Sequence, residues 1–118
     1  MSKPNLLVDQ CCAPLTREPL TEVDSGGLAP LFKALGDPVR LRLMSMIASY
    51  EGGEACVCNL TGAFDLSAPT ISHHLKVLRE SGLVSSERRG TWVYYRANPA
   101  AIARLSGVLA AQPSAELV

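Results

Sequence analysis

The sequence predicts a mainly α-helical domain that carries one small β-hairpin. Three observations lead there. Apolar residues recur at helical spacing in several separate stretches. A Ser-capped segment with a proline in its first turn follows a short helical run. Two β-prone runs flank a basic glycine turn. With 118 residues, 47% of them hydrophobic and 19% charged, the chain has material for one domain with a core.

Residues 1–20 contain prolines and no helical period, and are expected to form an extended arm. Leu28, Leu31, Phe32 and Leu35 then mark the apolar stripe of an amphipathic helix that stops at Gly36. Asp37 is placed to cap a second helix, with Pro38 in the favoured first position. That helix should reach about Tyr50 and turn Val39, Leu41, Leu43, Met44 and Ile47 inward. Glu51 to Glu54, with two glycines, reads as a loop. A short helix from Val57 to Phe64 would bury Leu60 and Phe64, and Asp65-Leu66 would turn the chain. Ser67 is a suitable N-cap for a helix over Ala68 to Glu80 that buries Ile71, Leu75 and Leu78, with Gly82 at its end. Leu83–Glu87 and Thr91–Arg96 are β-prone and enclose Arg88-Arg89-Gly90, a hairpin or wing. A last helix, Pro99 to Ala111, places Ile102, Leu105, Val108 and Leu109 on one face. The order helix-helix-helix-helix-hairpin-helix is that of a winged helix-turn-helix.

Formal net charge is zero, yet the charge is unevenly spread. Residues 1–65 hold five Lys/Arg against eight Asp/Glu, a balance of −3; residues 66–98 hold five against two, a balance of +3. Phosphate attraction is set by charge within a Debye length of about 8–10 Å, so a neutral total does not exclude nucleic acid. In a helix-turn-helix the second helix offers its first turns to base edges in the major groove. The positions this nominates are Ser67, Ala68, Thr70, Ser72, His73 and Lys76. Lys76, Arg79, Arg88 and Arg89 suit phosphates. Adjacent residues on a helix diverge by about 100°, which argues against shared metal chelation by His73 and His74. Trp92, Tyr94 and Tyr95 are expected to pack the wing against the body rather than to stack on bases.

The four cysteines stand in two tight pairs, Cys11-Cys12 and Cys56-Val57-Cys58. No apolar run has the roughly 18 residues of a membrane helix, and Met1 to Gln10 lacks the apolar stretch of a secretory signal. A cytoplasmic protein with reduced thiols is therefore expected, and no membrane partner. Cys56 and Cys58 lie at or just before a helix N-terminus, where the thiolate is favoured. Sulfur donors select soft ions. There is no second Cys-x₂-Cys pair and no matching His, so a zinc-finger framework is excluded. Buried packing is the alternative reading for Cys56 and Cys58. The stretch Ala55 to Leu60 has neither arginine nor glycine for an anion-binding loop, which argues against a thiol enzyme.

The blocks Leu31–Leu43, Ala55-Cys56-Val57-Cys58-Asn59-Leu60, Ser67–Arg79 and Trp92-Val93-Tyr94-Tyr95 together resemble the ArsR/SmtB family of metal-responsive repressors over residues 28–110. The resemblance implies a homodimer that represses a double-stranded operator and lets go when an ion binds. It implies a division into a thiol-bearing arm (1–20), a DNA-binding and dimerisation body (21–112) and a tail (113–118). The family pattern usually has Gln where this chain has Ala68. One arsenic-responsive pattern carries a third cysteine where Thr61 stands here, so that local site is incomplete. A second uses an N-terminal vicinal pair, as in Cys11-Cys12, with one cysteine of the body. A pattern responsive to Cd(II) and Pb(II) combines N-terminal cysteines with the Cys-x-Cys pair in a four-sulfur site. The vicinal pair favours As(III) or Sb(III) as inducer, bound by Cys11 and Cys12 with Cys56 or Cys58, the site spanning two subunits. Residues 99–111 contain no Asp, Glu or His, so the family's zinc site on its last helix is missing. The expected mechanism is that tying the first helix of the helix-turn-helix, which packs directly on the second, to the arm shifts or stiffens it relative to the dimer axis and spoils the roughly 34–36 Å spacing the two recognition helices need. A regulator that forms a disulfide instead of binding an ion is the other reading.

Overall fold

The computed structural model describes residues 13–110. Cys11 and Cys12 lie outside the described residues, as do Ala111 and the tail. The fold is a winged helix-turn-helix in two compact units. Pro30–Asn98 form one; the described residues of the other are 13–29 and 99–110.

The elements in chain order are α1 (Glu22–Leu35), α2 (Pro38–Ser49), a single 3₁₀ turn (Glu51–Gly53), β1 (Glu54–Cys56), α3 (Val57–Thr61), α4 (Ala68–Glu80), β2 (Val84–Arg89), β3 (Trp92–Ala97) and α5 (Pro99–Leu109). Before α1 the chain is not simply extended: Arg17 N–H donates to Pro14 O, closing a turn. Helix α1 begins nearly two turns before the apolar stripe does. Asp24 N–H donates to the Thr21 hydroxyl at 3.0 Å, an N-cap that the following Gly26-Gly27 disguises in the sequence.

In α2 the expected cap is present. Asp37 Oδ2 accepts from Val39 N–H at 2.9 Å and Arg40 N–H at 3.1 Å, ahead of Pro38. Leu43, Met44 and Ile47 are buried, Val39 is half-buried, and Leu41 is 55% exposed, against its expected inward place. The buried stripe follows positions 43, 44 and 47, and Leu41 falls on the other side of the turn. Helix α4 is capped by Ser67, whose Oγ accepts Thr70 N–H, and it buries Ile71, Leu75 and Leu78. Its end is a Schellman turn. Leu83 N–H reaches back to Leu78 O and Gly82 N–H to Arg79 O. Gly82 has φ +90°, a conformation that costs a residue with a Cβ.

The wing has three strands rather than two, all antiparallel, in the order β1-β3-β2. Val84 to Arg89 pair with Ala97 to Trp92, and Gly90 at φ +67° opens the two-residue turn. On the other edge of β3, Glu54 faces Arg96, Ala55 faces Tyr95 and Cys56 faces Tyr94. The first strand has only three residues, too few for a period-2 signal, so the expected loop at Glu51 to Glu54 ends in a strand. Tyr95 is buried and Tyr94 half-buried, as packing residues of the wing, whereas Trp92 is 53% exposed because it sits beside the hairpin turn.

Helix α3 stops at Thr61, short of the expected Phe64. Phe64 lies in the following turn, half-buried, with the Arg42 guanidinium 4.7 Å over its ring. In α5, Ala101, Leu105 and Val108 are buried, while Ile102 and Leu109 are exposed at 39% and 57%. The single apolar face expected there is therefore only partly covered within one chain.

Candidate nucleic-acid interface and thiol pair

The α4 positions nominated for base contact are exposed on the helix surface. Ala68, Thr70, Ser72, His73, Lys76 and Arg79 are all exposed, outside the Ile71–Leu75–Leu78 stripe that fastens the helix to the core. Ser67 is exposed too, but its hydroxyl is engaged: it caps the helix and lies 2.8 Å from the Thr70 hydroxyl. The Lys76 ammonium is 3.9 Å from Glu80, an exposed i,i+4 pair that exchanges readily with other partners.

The neighbouring histidine behaves differently. His74 points inward, its side chain only 15% exposed. Its Nδ1 lies 3.2 Å from Arg40 Nη1 and 4.0 Å from Asp37 Oδ2, so it joins α4 to the N-terminus of α2. Arg40 is held in turn by Ala34 O at 2.6 Å. The backbone N–H of Arg40 first, then that of Val39 and the charge of the Arg40 guanidinium, hold the Asp37 carboxyl below its ordinary range against the opposing effect of burial.

The wing arginines also separate. Arg88 and Arg89 are both exposed, yet Arg89 makes a bidentate pair with Glu54, 2.9 Å to each carboxylate oxygen, and a third contact to Glu87 at 3.0 Å. Arg96 Nη2 also donates to Glu54 Oε1 at 2.9 Å. The Arg89 guanidinium lies 4.3 Å over the Tyr94 ring. The hydrogen bond from Arg89 pulls the Glu54 carboxyl below its ordinary value, and the same contact raises Arg89. Glu54 and Arg96 were not among the nominated residues. Their partnership depends on the β1–β3 register, which no local pattern announces.

Cys56 and Cys58 come together, their sulfurs joined across a Cα–Cα distance of 5.2 Å. Cys56 is buried at 5% exposure and Cys58 is exposed. Cys56 is the N-cap of α3: its Sγ accepts Cys58 N–H at 3.2 Å, and its own N–H donates to Asn59 Oδ1 at 3.3 Å. Among the described residues no group of three or more His, Cys, Asp or Glu is arranged to hold a metal ion. Two sulfurs alone do not complete a three- or four-thiolate shell. Nor does α3 rest mainly on α4, as the expected mechanism required. It packs on β1, β3 and α2, and α4 packs on α2 and β2.

Residues 37–86 match the family described as bacterial regulatory protein, arsR family. The SmtB-homologue transcriptional repressor of Synechocystis is 37% identical over 113 residues, covering 80% of this chain and 83% of that protein. The chain belongs to the arsR family of bacterial regulators. Arsenic resistance transcriptional regulator ArsR1 of Pseudomonas putida is 51% identical over 69 residues, 58% of this chain. The chain spans about half the length of that relative, 52%. A solved structure titled as the homodimeric winged helix-turn-helix DNA-binding domain of a possible ArsR-family regulator from Mycobacterium bovis superposes with a TM-score of 0.60 at 31% identity, covering 72% of this chain and 79% of that one. The family is one of regulators, not enzymes. No helix among the described residues is long and apolar enough to cross a membrane.

Proposed function

We propose that this chain is a metalloid-responsive repressor that binds operator DNA as a dimer and dissociates when As(III) or Sb(III) is taken up by its thiols. The observation that carries this reading is the Cys56/Cys58 sulfur pair, held at the start of the helix-turn-helix and against the wing of an arsR-family fold. Arsenite, As(OH)₃, exchanges three hydroxyls for three thiol sulfurs, and each hydroxyl leaves as water with the thiol proton. The described residues offer two sulfurs close together, and the vicinal Cys11-Cys12 pair supplies the rest. A four-sulfur set drawn from all four cysteines would suit Cd(II) or Pb(II).

The body supplies the DNA contacts. Thr70, Ser72 and His73 face base edges with Ala68 beside them, and Lys76, Arg79 and Arg88 face phosphates. Exposed Val23, Ile102 and Leu109 support burial against a second copy. The arm (1–20), the body (21–112) and the tail (113–118) are parts of the same proposal.

The test is operator affinity of the reduced full chain with and without arsenite, in the wild type and in Cys11→Ser/Cys12→Ser. A coupling of about 1–3 kcal/mol gives some 5–150-fold weakening by arsenite in the wild type. Failure of the wild type to bind any operator duplex, or to release it, rejects the function. Equal release by the double variant rejects the arm's part.

The joined sulfurs also favour a second reading, a redox-responsive repressor. There Cys56 and Cys58 give two protons and two electrons to hydrogen peroxide, forming the disulfide and two waters. Peroxide-driven operator release in Cys11→Ser/Cys12→Ser, reversed by a dithiol, would favour it over ion capture.

A further inference from the structure

Four residues around the β1–β3 edge form a closed circuit. Cys56 faces Tyr94 across the sheet. The Tyr94 ring lies under the Arg89 guanidinium at 4.3 Å. Arg89 grips both oxygens of Glu54 at 2.9 Å. Glu54 lies two residues before Cys56 on the same three-residue strand. Its side chain is 22% exposed and Arg89's is 39%, so the pair is less open than Lys76–Glu80, and its two-oxygen grip fixes its geometry.

This circuit couples two things the sequence keeps 33 residues apart: the sulfur pair and the wing turn beside Arg89. We infer that Glu54 and Arg89 form the relay by which a change at Cys56 and Cys58 reaches the wing, and that Arg89 is an anchor of the wing rather than one of its phosphate contacts. The packing favours this route over a direct helix-to-helix shift. Helix α3, which starts at the sulfurs, rests mostly on β1 and β3 and less on α2, whereas α4 rests on α2 and β2. A displacement of Cys56 moves β1, and with it the carboxylate that holds Arg89. Arg96, in register with Glu54, keeps a second cation on that carboxylate and ties β3 into the same unit.

The inference rests on the thiol-responsive reading above, but it can fail separately, because the chain has its own reporter. Trp92 is the single tryptophan, it is the strand partner of Arg89, and it is half open to solvent. The experiment follows Trp92 emission and iodide quenching in the full chain bearing Cys11→Ser/Cys12→Ser, with Cys56 and Cys58 held reduced by a dithiol or joined by diamide. The expected result is a change in emission or quenching between the two thiol states. That change falls at least twofold in Glu54→Gln and in Arg89→Ala, and persists in the control Glu51→Gln, which removes a neighbouring charge outside the circuit. Far-ultraviolet circular dichroism of each variant checks that the fold is retained, and Arg89→Ala serves if Glu54→Gln does not fold. An unaltered response in both circuit variants overturns the relay, as does a Trp92 signal blind to the thiol state. Operator binding measured on the same samples judges the repressor function independently.

Discussion

Arg40 places Nη1 3.2 Å from Nδ1 of His74, and this contact separates the tasks of two adjacent histidines. Arginine only donates, so Nδ1 of His74 is the acceptor and its inward orientation is set by α2. His73, one residue earlier, is exposed and free to face a groove. His74→Ala should therefore lower stability by about 0.5–1.5 kcal/mol, the net worth of a hydrogen bond. His73→Ala should leave stability within about 0.5 kcal/mol and weaken operator binding. Urea unfolding alongside operator titration checks both; the reverse assignment would show that His74 is the DNA-facing residue.

The core of Pro30–Asn98 is organised around Leu43, Ile47, Leu60, Ile71, Leu75 and Leu78, all at 0% exposure. Truncating one of them leaves a cavity as well as losing its transfer energy. Leu43→Ala should cost about 2–5 kcal/mol, while Leu41→Ala, two residues away on the open side, should cost less than about 1 kcal/mol in the monomer. Similar losses at the two positions would mean that Leu41 is buried in the solution assembly.

Acid should unfold the protein partly through two carboxylates. Asp37 is held below its ordinary 3.8 and Glu54 below its ordinary 4.5. A carboxyl with a lowered folded value stabilises the native state fully above its ordinary value. That contribution disappears as the pH falls through the lowered one. Unfolding midpoints measured from pH 7 to pH 3 should fall at the acid end, and Asp37→Asn or Glu54→Gln should flatten that limb. Unchanged acid limbs in both variants would contradict the sign.

Salt dependence of operator binding should distinguish the basic residues. Each phosphate contact contributes about 0.9 to the slope of log K against log salt. Lys76→Ala and Arg88→Ala should each reduce the slope by about that amount, because both side chains are exposed and can turn to phosphate. Arg89→Ala should reduce it by less than half as much, since its guanidinium already holds Glu54. A full unit lost with Arg89 would place it on the DNA.

Local chemistry was legible wherever a short pattern dictates it. Asp37-Pro38 and Ser67-Ala68-Pro69 announced two helix starts, Gly82 and Gly90 announced a helix end and a hairpin, and the period of Ile71, Leu75 and Leu78 left the polar residues of α4 facing outward. These follow from capping, from φ preferences and from the 3.6-residue repeat, all of which act within a few residues. The family blocks were legible for the same reason.

What the chain determined by itself was the set of helices and the hairpin, because their causes are local. Only the tertiary structure decided that Glu54–Cys56 is a strand, that Arg89 is gripped by Glu54, and that His74 is inward while His73 is exposed. Each of those depends on groups 34 to 42 residues apart meeting through sheet register or helix packing. Side-chain hydrogen bonds and ion pairs form only at contact distance, so their outcome is set by which distant segments the hydrophobic core brings together.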